Sequence, residues 1–409
     1  MTNVEILTTT INVSSEKVSK RKVSAVMERI YLDHAATTPV DRAVIEAMNP
    51  YFYERFGNAS SPHTVGQKAK KAIEDARDHL AGFIGAQAEE IVFTSGGTES
   101  NNHAILSTAL ARRSQGNHII VSNIEHHSVS EPIAFLEKEG FQITRIGVDQ
   151  DGLVNPVDVA QAINDKTILI SVMHANNEIG AIQPIAEIGK IAREKGILFH
   201  SDCVQTVGHI PVNVEGLQVD FLSLSAHKFY GPPGVGALYI RKGTNIPSFL
   251  RGGDQERGRR ASTHNLPGIV GLGKAVELCQ SKMTEEMNAQ IVLRDKVIAE
   301  IFKRVDGVRL NGHPRKRLPN NMNFSFDDID GESLLMSLDI AGIAASMGSA
   351  CTSGSMEASY VLKAVGLSEE LAFGSLRVTI GRWTTSQHIN CFIEQLPSII
   401  NRLRAAPSK

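Results

Sequence analysis

From about residue 90 the chain alternates between two hydrophobic rhythms. Short β-branched runs appear at EIVFTSG (90–96), HIIVSN (118–123), QITRIGV (142–148), TILISVMHA (167–175), ILFHSD (197–202), DFLSLSAH (220–227) and GALYIRK (236–242). Helix-like segments such as NNHAILSTALARRS and IAEIGKIAREKG lie between most of them. Strands alternating with helices predict an α/β fold, a mostly parallel seven-stranded sheet covered on both faces. One link departs from the rule. Eight residues, 228–235, separate His227 from Gly236, fewer than the dozen or so a parallel crossover needs. The last strand is therefore expected to run antiparallel to its predecessor in sequence.

After about residue 282 the texture changes. The charged helical stretch MTEEMNAQIVLRDKVIAEIFKRV leads into a region with its own strands, NMNFSF and SLRVTIG, and its own helices, ESLLMSLD and INCFIEQLPSIINRLRAA. This reads as a smaller α+β lobe at 283–409, with a hinge in the long helix near 275–305. The larger lobe is assigned 41–282. Residues 1–26 are rich in Ser, Thr and Lys and lack aromatics. They read as a disordered tail or leader, with Met27 an alternative start.

Composition narrows the function classes. Lys and Arg total 42 against 44 Asp and Glu, a net charge of -2. That leaves no broad basic field for nucleic acid or an anionic membrane surface. The apolar runs are too short to span a bilayer. Cys203, Cys279, Cys351 and Cys391 are scattered without a CxxC pair, which fits a reduced cytoplasmic setting rather than a zinc ribbon or a disulfide framework.

Polar loops follow the predicted strands, where open parallel sheets bind ligands. TSGGTES (94–100) passes through Gly96 and Gly97 into a helix. Backbone N–H groups there, with the Thr98 hydroxyl, form a phosphate seat; the same sequence also reads as a plain turn and N-cap. Asp202, at a strand end in HSDCVQ, could face a protonated ring nitrogen or simply cap a turn. Cys203 reads as a small buried hydrophobe. In IEHHSV, strand alternation allows at most one of the adjacent histidines, 126 and 127, to face the site. Lys228, in SAHK after an apolar run, is either a loop charge or a desolvated amine of the kind Schiff-base chemistry uses. Cys351 sits in MGSACTSGSMEASY (347–360) among small polar residues, a setting for an exposed, reactive thiol.

Together the segments YLDHAATTPV, FGNASSPH, VFTSGGTESNN, EHHSV, VMHANNEIG, HSDCVQTVG, SAHKFYGPPGVGALY, GSACTSGSMEASYVL and SLRVTIGRWTT resemble the NifS/IscS-type cysteine desulfurases. These are class V aminotransferase-like enzymes of fold type I that depend on pyridoxal 5'-phosphate (PLP). The resemblance runs in order from about Ile30 to Arg404. It implies that Lys228 binds PLP covalently, Asp202 pairs with the ring nitrogen, and His126 stacks on the ring and assists proton transfer. It implies further that Asn177 and Gln205 hydrogen-bond the phenolic oxygen. Thr98, Ser225 and His227 hold the phosphate, with Gly97 behind them. Thr263, in RRASTHN, resembles a phosphate contact given to the neighbouring subunit of a homodimer. Arg377 resembles the arginine that holds the substrate carboxylate, helped by Asn58. Residues 27–40 are expected to pack with the small lobe, and the long loop 346–356 to carry the nucleophile Cys351.

The implied reaction converts L-cysteine to L-alanine and leaves its sulfur as a persulfide on Cys351. The sulfur then passes to a protein acceptor, an iron–sulfur scaffold or a tRNA-thiolation protein, without direct contact with nucleic acid or membrane. No intrinsic metal site is implied, although Cys351 could share a transient iron–sulfur cluster on a scaffold. Departures from the family pattern are Met347, Asp254, Gln255 and Ala358, none of which removes a reacting group. The alternative within the fold is a selenocysteine lyase or small aminotransferase. Transamination has no use for Cys351.

Overall fold

The computed structural model describes residues 29–347 and 358–405. The expectations for the tail (1–26), for Met27 and for Cys351 fall outside the described residues. Among the described residues twelve strands follow in chain order: β1 (Ile30–Tyr31), β2 (Ile91–Thr94), β3 (His118–Ser122), β4 (Gln142–Ile146), β5 (Thr167–Ser171), β6 (Leu198–Asp202), β7 (Phe221–Ser225), β8 (Gly236–Ile240), β9 (Val308–Leu310), β10 (Asn321–Phe326), β11 (Ile343–Ala344) and β12 (Ser375–Thr379). Five helices matter below: α1 (Gly97–Arg112), α2 (His127–Lys138), α3 (Leu266–Arg304), α4 (Gly331–Ile340) and α5 (Ser386–Arg404).

All of the β-branched runs from residue 90 onward become strands of one seven-stranded sheet, in the order β2-β8-β7-β6-β5-β3-β4. The pairs β3–β4, β3–β5, β5–β6 and β6–β7 are parallel. β8 runs antiparallel to both of its neighbours, β7 and β2, as the short link after His227 requires. Strands such as β6, β7 and β8 are buried along nearly their whole length, which explains their continuous rather than alternating hydrophobicity.

Two layers of helix cover this sheet. The larger core holds Ile73, Leu80, Phe199, Leu222 and Tyr239 together with Leu266, Leu272 and Cys279 of α3. On the opposite face Ile105 and Ala109 of α1 meet Val129 and Ile133 of α2. Burying each large apolar side chain contributes about 1.5–3 kcal/mol before chain entropy is counted.

A second core forms around the antiparallel sheet β12-β10-β9, from Phe324, Phe326, Leu376, Val378 and, on α5, Phe392 and Leu396. Val297 and Ile301 of α3 also join it, so one helix of 39 residues belongs to both cores. The N-terminal strand β1 pairs with β11, and Ile30 and Leu32 enter this second core.

Candidate active site

The carboxyl ends of β2, β6 and β7 open onto one cavity of about 400 Å³. Its wall includes Ala35, Gly97, Thr98, His126, Asn177, Asp202, Gln205, Ser225, His227, Lys228 and Arg377. Ten of the expected site residues thus come from separate loops to one place.

Lys228 is placed by the hairpin it opens. β7 ends at Ser225 and residues Ala226–Lys228 make a single tight turn. Lys228 Nζ donates to the carbonyls of Ala35 (2.5 Å) and Ala36 (2.8 Å). Its amine is therefore held by two neutral dipoles. Asp202 ends β6 with only 5 % of its surface exposed. Its Oδ1 accepts from the Val204 N–H at 2.9 Å and its Oδ2 from Asn101 Nδ2 at 2.7 Å. The capping role and the buried charge coexist, since each carboxylate oxygen has further acceptor capacity.

The anion seat lies at the start of α1. Gly96, at φ 155°, caps the helix without a side chain, so the first N–H groups of α1 remain donors toward the cavity. A Cβ on Gly97 would lie 2.6 Å from Val204 Cγ2, and one on Gly236 would lie 2.7 Å from Gly96 Cα. Glycine at these positions lets the lysine hairpin and the anion seat touch. His227 Nδ1 lies 3.0 Å from Thr37 Oγ1. Burial, with the Lys228 charge beside it, lowers the His227 imidazole to about 4, so near neutral pH it is an uncharged donor.

Arg377 on β12 is 2 % exposed. It donates through Nη2 to Asp33 Oδ1 at 2.9 Å and through Nη1 to the Asn177 carbonyl at 3.2 Å. Gln205 Nε2 donates to the Ala35 carbonyl at 3.0 Å. The Asn177 amide oxygen is buried without a hydrogen-bond partner among the described residues, a polar atom of the wall with acceptor capacity to spare.

Two expectations need correction, those for the histidine pair and for Asn58. Both His126 and His127 line the cavity, because the pair opens helix α2 instead of extending a strand. Strand alternation does not govern a helix N-terminus. Asn58 is exposed, and its Oδ1 accepts from the Ser60 N–H at 2.9 Å; its side chain serves its own turn, away from the cavity. Thr263 borders a different pocket with Ser95, Glu256 and Arg260, so it does not reach the cavity of its own chain. Cys203 is fully buried, and burial pushes its thiol up to about 12.

Other residues in or beside the wall were not singled out from the sequence. Asp33, Ala35 and Ala36 come from DHAATT, a segment in which the carbonyls, not the side chains of the alanines, do the binding. Glu178 accepts from Ser359 Oγ at 2.5 Å, and Tyr360 donates to the Glu125 carbonyl. Ser346 exchanges backbone hydrogen bonds with Arg377, 3.2 and 2.7 Å long. Residues on both sides of the segment that contains Cys351 are thus fastened beside the cavity.

An amine, a buried carboxylate, an uncapped helix start and a buried guanidinium fit the aldehyde, ring nitrogen and phosphate of PLP and the carboxylate of an amino acid. The comparisons agree. The family model for aminotransferase class-V matches residues 30–392. A cysteine desulfurase IscS of Dictyoglomus turgidum is 55% identical over 375 residues, covering 92% of this chain and 95% of that protein. One from Methanosarcina thermophila is 52% identical over 382 residues, covering 93% and 94%. Among solved structures, a NifS-like protein superposes with TM-score 0.86 at 36% identity, covering 91% of this chain and 100% of that one. A structure described as SspA in complex with cysteine gives TM-score 0.77 at 36% identity, covering 87% and 100%. The chain therefore belongs to the class-V aminotransferase family, whose PLP chemistry its cavity is built to hold, and within that family to the cysteine desulfurases.

Proposed function

We propose that this protein converts L-cysteine to L-alanine and stores the released sulfur as a persulfide on Cys351, for iron–sulfur cluster assembly. The observation that carries the reading is the convergence of Lys228, Asp202, the start of α1 and Arg377 on one cavity. The relative solved with cysteine, SspA, supports the substrate.

Bound PLP supplies an electron sink for the substrate's α-carbon. Lys228 Nζ would hold PLP covalently, and the same amine is placed to take the substrate's α-proton. Asp202 would pair with the ring nitrogen. The α1 N–H groups, Gly97, Thr98, Ser225 and His227 would hold the phosphate, and Asn177 and Gln205 the phenolic oxygen. Arg377 receives the substrate carboxylate, which then shares the guanidinium with Asp33.

The Cys351 thiolate attacks the substrate sulfur. The Cβ–S bond breaks, an S–S bond forms on Cys351, and the electron pair left on carbon is protonated to give alanine. Cys351 is four residues beyond Met347, a reach of at most about 14 Å of extended chain, and Ser346 is already hydrogen-bonded to Arg377.

Thr263 acts in the cavity of a second copy, which makes the enzyme a homodimer. Sedimentation of the holoenzyme as a monomer with full activity would remove that role. The persulfide is passed to an acceptor protein, an iron–sulfur scaffold or tRNA-thiolation protein, in the cytoplasm, where acceptor thiols stay reduced. No helix among the described residues is long and apolar enough to cross a membrane.

The deciding experiment compares wild type with Cys351→Ala, given L-cysteine and a thiol reductant. Alanine and sulfide production should fall to background in the variant while PLP stays bound. Full turnover by Cys351→Ala removes the persulfide step.

A further inference from the structure

Four side chains from three elements form one hydrogen-bond chain in the cavity wall, anchored on the fully buried Asn101. Asp202 ends β6, Asn101 lies in α1, His126 caps α2, and Ser128 lies in its first turn. Asn101 Nδ2 is 2.7 Å from Asp202 Oδ2 and 2.7 Å from Ser128 Oγ. Ser128 Oγ is 2.8 Å from His126 Nδ1, and the Ser128 backbone N–H donates to the same Nδ1 at 3.1 Å.

The hydrogen directions follow from the groups that have no choice. A carboxylate oxygen only accepts, so Asn101 turns its NH₂ toward Asp202, and the second hydrogen of that NH₂ goes to Ser128 Oγ. A backbone N–H only donates, so His126 Nδ1 is an acceptor and carries no hydrogen. The Ser128 hydroxyl, already accepting from Asn101, donates to Nδ1 as well. The neutral ring must then keep its proton on Nε2. An imidazolium would place a hydrogen on Nδ1, against two donors. Burial also disfavours the charged ring, as do the Lys228 and His127 charges, while the Asp202 charge opposes them; burial prevails and the imidazole lies below its ordinary range.

We propose that Asn101 and Ser128 are positioning residues that lock His126 as the neutral Nε2–H tautomer and couple its ring to the Asp202 carboxylate. This rests on the PLP reading above. On that reading the histidine at the cofactor is a hydrogen-bond donor and not a base. Its orientation is set by the same amide that orients the partner of the ring nitrogen, so the two contacts move together.

The test uses holoenzyme labelled with ¹⁵N in the imidazole rings, with the His126 signals assigned through His126→Gln. Wild type is expected to show a bare Nδ1 and a protonated Nε2 across neutral pH. Asn101→Ala and Ser128→Ala should raise the pH at which His126 protonates and weaken PLP binding about tenfold, as loss of a hydrogen bond to a charged or ring partner implies. Ser128→Thr, which keeps the hydroxyl, should restore both. A protonated Nδ1 in wild type overturns the proposal without any substitution being needed. So does an Asn101→Ala holoenzyme whose His126 signals and PLP dissociation are unchanged. Should wild type bind no PLP, the cofactor reading fails by itself, and the tautomer measured in the cofactor-free protein still decides the lock.

Discussion

Arg377 reaches the cavity with its charge already answered by Asp33, 2.9 Å away. A buried guanidinium without a counter-charge would be costly, so Asp33 keeps the site folded until a substrate carboxylate arrives. A planar fork can serve both carboxylates, which a point charge does poorly. Arg377→Lys should therefore lower kcat/KM for L-cysteine by about 10–100-fold, since a charged hydrogen bond is worth about 1.5–3 kcal/mol; an assay showing an unchanged ratio would remove Arg377 from substrate binding. Glu125 behaves differently. Burial raises its carboxyl to about 8, against hydrogen bonds from Ser122 and the Met173 N–H that pull it down. Those donors both reach Oε1, while Oε2 has no partner among the described residues, so Oε2 is where the proton sits. Because the folded value lies above the ordinary 4.5, the folded state binds the extra proton. The stabilisation is complete below about 4.5 and is lost as pH rises through about 8. Glu125→Gln should flatten that decline in urea midpoints across the same window. A decline as steep as in wild type would place the titration elsewhere.

At the scale of elements, the loop before α3 depends on one buried pair. Arg77 meets Glu256 with two contacts of 2.7 Å. His264 at 2.8 Å and the Phe93 N–H at 2.8 Å complete the carboxylate. Burial pushes Glu256 up, yet the bonds from Arg77 and His264 outweigh it and hold it at about 2. Glu256 and the next residue also sit at φ 49° and 57°, a left-handed backbone that side-chain anchoring must sustain. Glu256→Gln leaves the Arg77 charge buried and should cost about 3–5 kcal/mol, read as a lower denaturant midpoint; a loss within error would show the loop to be held by something else. Loops of this kind are hard to read in a sequence, because GGDQERGRR shows charge and glycine but not which charge turns inward. The long β-branched runs were legible, since a strand buried on both faces must be apolar throughout, and the eight-residue link after His227 permitted only an antiparallel return. The first third of α3 was less so. LPGIVGLGKAVELC is glycine-rich and nearly uncharged, so it lacks the polar face by which the later turns of the helix announce themselves. Lys228, Asp202 and the Gly97–Thr98 turn were visible as polar breaks at strand ends. Asn101 and Ser128 were not, because inside a helix they look like ordinary polar positions until the fold brings Asp202 beside them.

Over the whole molecule, Arg382 ties the two cores to the site. Its guanidinium bonds Glu286 of α3 at 2.6 Å and Asp41 at 2.7 Å, and lies 4.1 Å over the Tyr230 ring. The Tyr230 hydroxyl also accepts from the Arg382 N–H at 2.6 Å, two residues beyond Lys228. Arg382, three residues beyond β12, thus holds the long helix, Asp41 at the start of the larger lobe and the lysine hairpin. Arg382→Ala should uncouple them, so that calorimetry resolves two unfolding steps in place of one cooperative transition; a single transition at the wild-type temperature would show the cores to be coupled by α3 alone.

The wall that joins Asp33 to Arg377 spans 344 positions of sequence. During synthesis the amino-terminal parts of a chain emerge and fold first. Here the carbonyls that receive the Lys228 amine are made early, but the strand that completes their surroundings is among the last to leave the ribosome. A nascent chain halted after α3 can form the seven-stranded sheet and still lack a finished pocket. Completion of the substrate site is on this account an event of the released polypeptide, and ribosome-bound chains stalled before β12 should capture PLP on Lys228 yet turn over no L-cysteine.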